Sequence, residues 1–226
     1  MLRKILFPLI LGVGGIAILL WLGVWQIQRL AWKEGILAEI DARLAAAPVA
    51  LPAAPDPQAD NYLPVQFSGA PAGVELHSLD SGTEAGTGYR VISRFVTAEG
   101  RAILLEQGLL PLEDKALPPA TDQTEVIGTL AWPDDSTQST PAPDIAGNIW
   151  FARDVAAMAA ALETEPLLVV ARSLSHPDPR LTPLPVTAAN IRNNHWEYAV
   201  TWFSLAFVWA VMSGVLIFRT LRRKDT

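Results

Sequence analysis

Asn193-Asn194-His195-Trp196-Glu197-Tyr198-Ala199-Val200-Thr201-Trp202-Phe203 opens the last apolar run of the chain. Asn194 followed three residues later by Glu197 has the form of a capping box. In that motif the Asn side chain accepts an early helix N–H and the carboxylate reaches back, with Asn193 leading in. A helix is therefore expected to start here. Residues 199–218 carry no charge and are mostly apolar. At about 1.5 Å per residue they span roughly 30 Å, the thickness of a bilayer core. His195 then stands about one turn above the lipid.

A second apolar run, from Ile5 to about Val24, follows only Met1-Leu2-Arg3-Lys4. It is longer than the apolar core of a secretory signal, and no small-x-small cleavage site follows it closely, so a retained anchor is expected. Four residues also leave no room for a mitochondrial transit peptide, which favours a bacterial protein. The two ends are basic: Arg3 and Lys4 at one, Arg219, Arg222, Arg223 and Lys224 at the other. By the positive-inside rule both termini are expected in the cytoplasm, with the middle of the chain on the periplasmic side of the inner membrane.

The chain has 226 residues, half of them hydrophobic, and a formal charge of −6. Without the six terminal cations and Asp225 it retains 11 basic and 22 acidic residues, an acidic middle that excludes nucleic acid as a partner and leaves membrane lipid as one. The absence of cysteine removes disulfides, thiol chemistry and Cys-ligated metal sites. The middle is long enough for one domain with its own core.

The first apolar run continues as Gly23-Val24-Trp25-Gln26-Ile27-Gln28-Arg29-Leu30-Ala31-Trp32-Lys33-Glu34. Trp25, Arg29, Trp32, Lys33 and Ile36 recur at helical spacing, within about 100° of arc, and form an aromatic and cationic stripe. Interfacial tryptophan and snorkelling Arg or Lys accompany any membrane anchor, and six of the eight tryptophans lie in or beside the two runs. Arg29 nevertheless lies about as far beyond its run as His195 lies before the other, so the two are expected at matching depth.

Between the runs, residues 45–60 are rich in Ala and Pro and read as a linker. Short apolar or alternating segments follow at 62–67, 88–96, 101–106, 125–132, 149–152 and 167–171. Thr97-Ala98-Glu99-Gly100 has the composition of a hairpin turn. Val155, Met158, Ala159 and Leu162 share one face of a helix expected over 154–163. The fold class is thus a membrane α+β protein. Two transmembrane helices form an N- and C-terminal hairpin around a small β-rich, barrel- or sandwich-like domain with one main helix. Its division is a membrane helix at 5–25, a helical extension at 26–44, the linker at 45–60 and the β-rich domain at 61–185. A return segment and helix start at 186–198, a second membrane helix at 199–218 and a basic tail at 219–226 complete it.

Catalytic motifs are missing: no nucleophile elbow, phosphate loop, dinucleotide fingerprint or zinc-protease helix occurs. Gly12-Val13-Gly14-Gly15 lies inside an apolar run, where small residues serve helix packing. Asp134-Asp135 belongs to a turn. His77 and His176 read as solvated loop or strand-end residues. His195 differs. It shares a face with Trp202 and with the small residues Ala199 and Ala206, which offer an apolar wall and room beside the imidazole, the setting of an axial haem ligand.

The Gly23-x-Trp25-Gln26-x-x-Arg29-x-x-Trp32-Lys33 and Asn193-Asn194-His195-x-x-Tyr198-Ala199-x-Thr201-Trp202-Phe203 runs, at the two ends of a β-rich domain, resemble the surfeit locus protein 1 family of cytochrome c oxidase assembly factors. The resemblance implies a role in building the haem-containing subunit I of the oxidase, with haem a synthase as a second candidate partner. It also implies haem a as cofactor, His195 as the iron ligand and no catalysis. Around that ligand, Arg29 and Lys33 become partners for the propionates, and Trp25, Trp32, Tyr198 and Trp202 the enclosure. A scaffold that docks on the oxidase without touching haem is the competing expectation. The chain departs from the family at Gln107-Gly108-Leu109-Leu110-Pro111, where an Arg-Gly-Trp-x-Pro run is usual, so no function carries onto Gln107 or Leu109. It departs again at Trp196-Glu197 and ahead of Gly88-Tyr89.

Overall fold

The computed structural model describes residues 2–83, 85–188, 191 and 193–222, without the side chains of the first five residues. The terminal cations Arg3, Lys4, Arg223 and Lys224, on which the expected orientation leans, therefore lie outside the described side chains. The chain divides into two compact units, Met1–Glu39 with Ala188–Thr226, and Ile40–Thr187.

The first unit is built on two long helices. Helix α1 (Leu2–Leu44) runs through the first apolar segment and on past the Trp/Arg stripe without a break. Helix α3 (His195–Arg222) starts at the histidine. Both are long and apolar enough to cross a membrane. In each, the covered positions share one helical face: Gly12, Gly23 and Gln26 on α1, and Ala199 and Ala206, one heptad apart, on α3.

The second unit is a mixed β-sheet. Strands β1 (Val49–Ala50), β2 (Pro64–Thr83), β3 (Gly86–Thr97), β4 (Ala102–Pro111), β5 (Thr124–Ala131) and β6 (Leu168–Leu174) lie in the order β1-β2-β3-β4-β6-β5. Strand β2 pairs with β5 as well, from Pro64↔Thr129 to Gly69↔Thr124, so the ladder of pairings returns to β2. The hairpin expected at Thr97–Gly100 joins β3 to β4. Gly100 takes φ +84°, which favours glycine, and Thr97 N–H bonds the Arg101 carbonyl at 2.8 Å. Helix α2 (Val155–Leu162) is capped by Asp154, which accepts from Ala157 N–H at 3.0 Å, and ends at Glu163 with φ +52°.

Strand β4 is buried along nearly its whole length because it has a core on each side. Ile103 and Leu105 pack with Val65, Phe95, Val126 and Val169. Leu104, with the opposite pleat, packs with Leu168, Val170 and Met158 of α2. The parallel partner β6 divides its residues the same way, which is why Leu167–Ala171 reads as an unbroken apolar run.

Strand β2 is far longer than the 62–67 segment expected. Its middle, residues 68–73, is rich in Gly, Ala and Pro, and its second half is held by register against β3 (Glu75↔Ser93 to Thr83↔Gly86). Residues 149–152 form only single bridges, Ser78↔Trp150 and Asp144↔Ile149. In the departing 107–111 run, Gly108 stands at φ +153° beneath the Thr182 carbonyl, where a side chain would collide. Gln107 is an extra residue opposite the Val91–Ile92 step and donates to Ser93 Oγ at 2.9 Å, while Leu109 is buried. Both residues serve the fold.

His77 is buried, not solvated. Its Nε2 lies 2.9 Å from Glu75 Oε1 and its ring stacks on Tyr89, because two residues apart on a strand share a face. His176 is exposed as expected. Arg180 bonds both Glu75 and Asp178, closing a buried cluster. Burial alone would raise the Glu75 carboxyl, but hydrogen bonds from His77 and Arg180 outweigh it and hold Glu75 below its ordinary range. Asp178 is likewise lowered: bonds from Arg180 and Ala120 N–H outweigh burial. Groups depressed in the folded state stabilise it above their unfolded pKa, about 4, and that contribution disappears as pH falls through the lower folded values. Acid melts of the full chain in detergent should therefore show stability falling below about pH 4, with a weaker fall in Arg180→Ala.

Candidate functional site: a histidine–glutamine contact between two apolar helices

Helices α1 and α3 run antiparallel and approach through glycine. A side chain at Gly12 would meet Ser213 at 3.0 Å, one at Gly15 would meet the Trp209 indole, and one at Gly23 would meet the Phe203 ring at 2.7 Å. The glycine-rich run is thus a packing surface, as its place in an apolar segment implied. Ala199 and Ala206 are 1% and 3% exposed. Both are covered within the helix pair, so the space expected beside the imidazole does not lie over these two alanines.

At the end of this seam His195 Nδ1 lies 2.7 Å from Gln26 Oε1. With the amide oxygen facing the ring, Nδ1 carries the proton and donates, which leaves the Nε2 lone pair as the basic site. Gln26 is 8% exposed. An amide at that depth needs a partner, and the imidazole supplies it. The pair therefore fixes ring orientation and tautomer together, the arrangement by which an outer partner prepares a histidine for a metal.

The expected depth match of Arg29 and His195 is off by one turn: the α1 residue bonded to His195 is Gln26, three positions before Arg29. Arg29 stacks its guanidinium over Trp32 at 4.0 Å, and both are exposed, as is Trp25. Lys33 and Trp202 are half-buried and Tyr198 is exposed. Arg29 stands three residues after Gln26, and Tyr198 three after His195. At about 100° per residue each is rotated roughly 60° from the contact in the same sense, which in an antiparallel pair points both to one side of the hairpin. Trp25, Trp32 and Lys33 are rotated that way too. One lateral face thus collects the aromatic and cationic residues beside the histidine. Tyr198 N–H closes the first turn of α3 on the Asn194 carbonyl at 3.3 Å. Glu197 is exposed, and Asn193 Oδ1 is buried without a partner among the described residues.

Gln26 escaped the sequence reading although it was in view. A lone amide one heptad from Leu19 and three residues from Gly23, on the face that packs, is a signal of an interhelical bond. Among the described residues there is no group of three or more His, Asp or Glu side chains able to hold a bare metal ion. A metal carried in a macrocycle would need only one imidazole from the protein, and His195, with Nδ1 engaged by Gln26 and Nε2 left over, could supply it.

Residues 13–207 match the model of the SURF1 family. The chain is 32% identical to a SURF1-like protein of Rickettsia felis, over 91% of this chain and 92% of that protein. It is 30% identical to a SURF1-like protein of Drosophila melanogaster, over 83% and 71%. To the human protein named Surfeit locus protein 1 it is 29% identical, over 82% and 69%.

Proposed function

The chain belongs to the SURF1 family, and from that premise we propose that it is a membrane assembly factor for cytochrome c oxidase that holds haem a on its helix pair and assists its delivery to subunit I. The observation that carries the reading is the His195–Gln26 bond at 2.7 Å, which presents Nε2 as a ligand at the end of an apolar seam. Haem a is cargo here, released unchanged, and no bond is made or broken in it. Arg29, already ordered by Trp32, and Lys33 face the two propionates. Trp25, Trp32, Tyr198 and Trp202 cover the porphyrin faces. Subunit I is the recipient, and haem a synthase the source.

In this reading α1 and α3 cross the bacterial inner membrane, with both ends in the cytoplasm and the β-rich unit in the periplasm. A cysteine placed at Ser136, in a chain without cysteine, reads the orientation. It should react with an impermeant thiol reagent on intact spheroplasts, and labelling only after lysis would reverse the orientation. The function itself is tested by expressing the chain together with haem a synthesis and recording the visible spectrum of the purified protein. A haem a spectrum at near one-to-one stoichiometry supports the proposal. A colourless protein that still co-purifies with subunit I would leave a scaffold in its place.

A further inference from the structure

At the opposite end of the helix pair from His195 an apolar groove of about 430 Å³ opens between α1 and α3. Its α1 wall is cut away by Pro8 and Gly12, and its floor includes Met212 and Leu216. Arg219 stands at its end. By the rotation argument used above, Met212 and Leu216 fall on one lateral side of the Gly12–Ser213 contact together with Leu11, so the groove is a continuous trough along the hairpin. Within a bilayer such a trough does not stay empty, since hydrocarbon must fill it. The two helices would cross that bilayer as proposed above, and the inference rests on that crossing but not on haem.

The occupant is specified by the charge at its end. Arg219 is exposed and makes no ion pair among the described residues. Arg222, one turn on, stacks over Phe218 at 4.7 Å instead and does not line the groove. An apolar trough that ends, among the described residues, in the Arg219 guanidinium matches an acyl chain ending in a phosphate, where Arg can make a forked contact. We propose that this groove is a binding site for one anionic glycerophospholipid, acyl chain between Gly12 and Leu216 and headgroup phosphate on Arg219.

The test uses the full chain, purified in mild detergent and offered equal amounts of phosphatidylglycerol and phosphatidylcholine, with retained lipid counted by native mass spectrometry. Wild type should retain one phosphatidylglycerol in preference by about fivefold, the contribution of one cation near an anionic headgroup. Arg219→Gln should bring the two lipids to parity, Met212→Trp should reduce retention of both, and Arg222→Gln should change neither. Inorganic phosphate at millimolar concentration should not displace the lipid. Equal retention of the two lipids by wild type would overturn the site, leaving ordinary annular lipid. So would equal sensitivity to Arg222→Gln, which would assign the selectivity to the basic end as a whole. Retention of an isoprenoid-tailed porphyrin in place of phospholipid would overturn it as well. Failure of haem binding in wild type, with lipid selectivity intact, leaves the groove standing, so the two proposals fail separately.

Discussion

On the proposed haem-carrying function, replacing His195 by Ala should remove nearly all of the haem a retained on purification while α1 and α3 stay packed. The packing seam is made by glycine, alanine and ring contacts further along the helices and does not need the imidazole. Loss of an outer partner of a metal-bound histidine typically weakens binding by about 10–100-fold, so Gln26→Leu should fall in that range and loss of the ligand beyond it. Gln26→Leu also leaves the Nδ1 proton without its acceptor, a cost of about 1–3 kcal/mol that should show as a lower melting temperature. Arg29→Ala removes one contact at a wet surface and should weaken retention by less than about tenfold. The order His195, Gln26, Arg29 is checked by the absorbance ratio of haem to protein after purification. If Arg29→Ala proved the most severe, electrostatic capture and not ligation would govern binding.

The second large effect belongs to the β-rich unit. Glu106 has no exposed side-chain surface and lies between two arginines, with Arg90 Nη1 at 2.6 Å and Arg153 Nη1 at 3.1 Å. Asp80 and Asp135 take the outer bonds of those arginines, each at 2.6 Å, so the turn carboxylate Asp135 ends a five-residue chain. Burial works against the Arg153 charge, but Glu106 and Asp135 outweigh it and hold its pKa above the ordinary arginine value. Glu106→Ala would leave two guanidinium groups facing each other with no anion between them. Removing one member of a buried ionic group costs about 3–5 kcal/mol, which in a chain of this size lowers the melting temperature by roughly 10 °C. Near-UV circular dichroism of the full chain in detergent follows it. A shift below about 2 °C would mean that water reaches the pair and the network contributes little.

What was legible in the sequence was what local patterns carry. The start of α3 at His195 follows from the onset of a long apolar run, though neither the Asn194 side chain nor the Glu197 carboxylate makes the expected capping bonds among the described residues. The Thr97–Gly100 hairpin and α2 follow from a turn glycine and from the Asp154 cap with a four-residue apolar face. The pairings between distant segments were not legible. The parallel contact of β4 with β6 joins residues some sixty positions apart, and nothing in either strand names its partner. The full length of β2 was hidden because Gly69, Pro71 and Gly73 carry turn chemistry in the middle of a strand that pairing with β3 maintains. The burial of His77 is hidden in sequence because it depends on β2 running on past Gly73, which alone puts Glu75 and His77 on one face of a strand. In the candidate site, His195 stood out as an imidazole at the mouth of an apolar run. Gln26 required knowing which face of α1 meets α3, and that depends on glycines such as Gly12 and Gly23, whose contacts, Ser213 and Phe203, stand at the other end of the chain.

The central claim is that His195 is the protein ligand of the haem iron. It is tested most directly by hyperfine spectroscopy of the ferric, haem-loaded full chain with isotopic label in the histidine nitrogens alone. The account predicts one iron-coupled labelled imidazole in wild type. The coupling should disappear in His195→Ala, and added unlabelled imidazole should restore an unlabelled nitrogen coupling. Persistence of the labelled signal in His195→Ala would place the iron on His77 or His176, the two other histidines of the chain, and would contradict it.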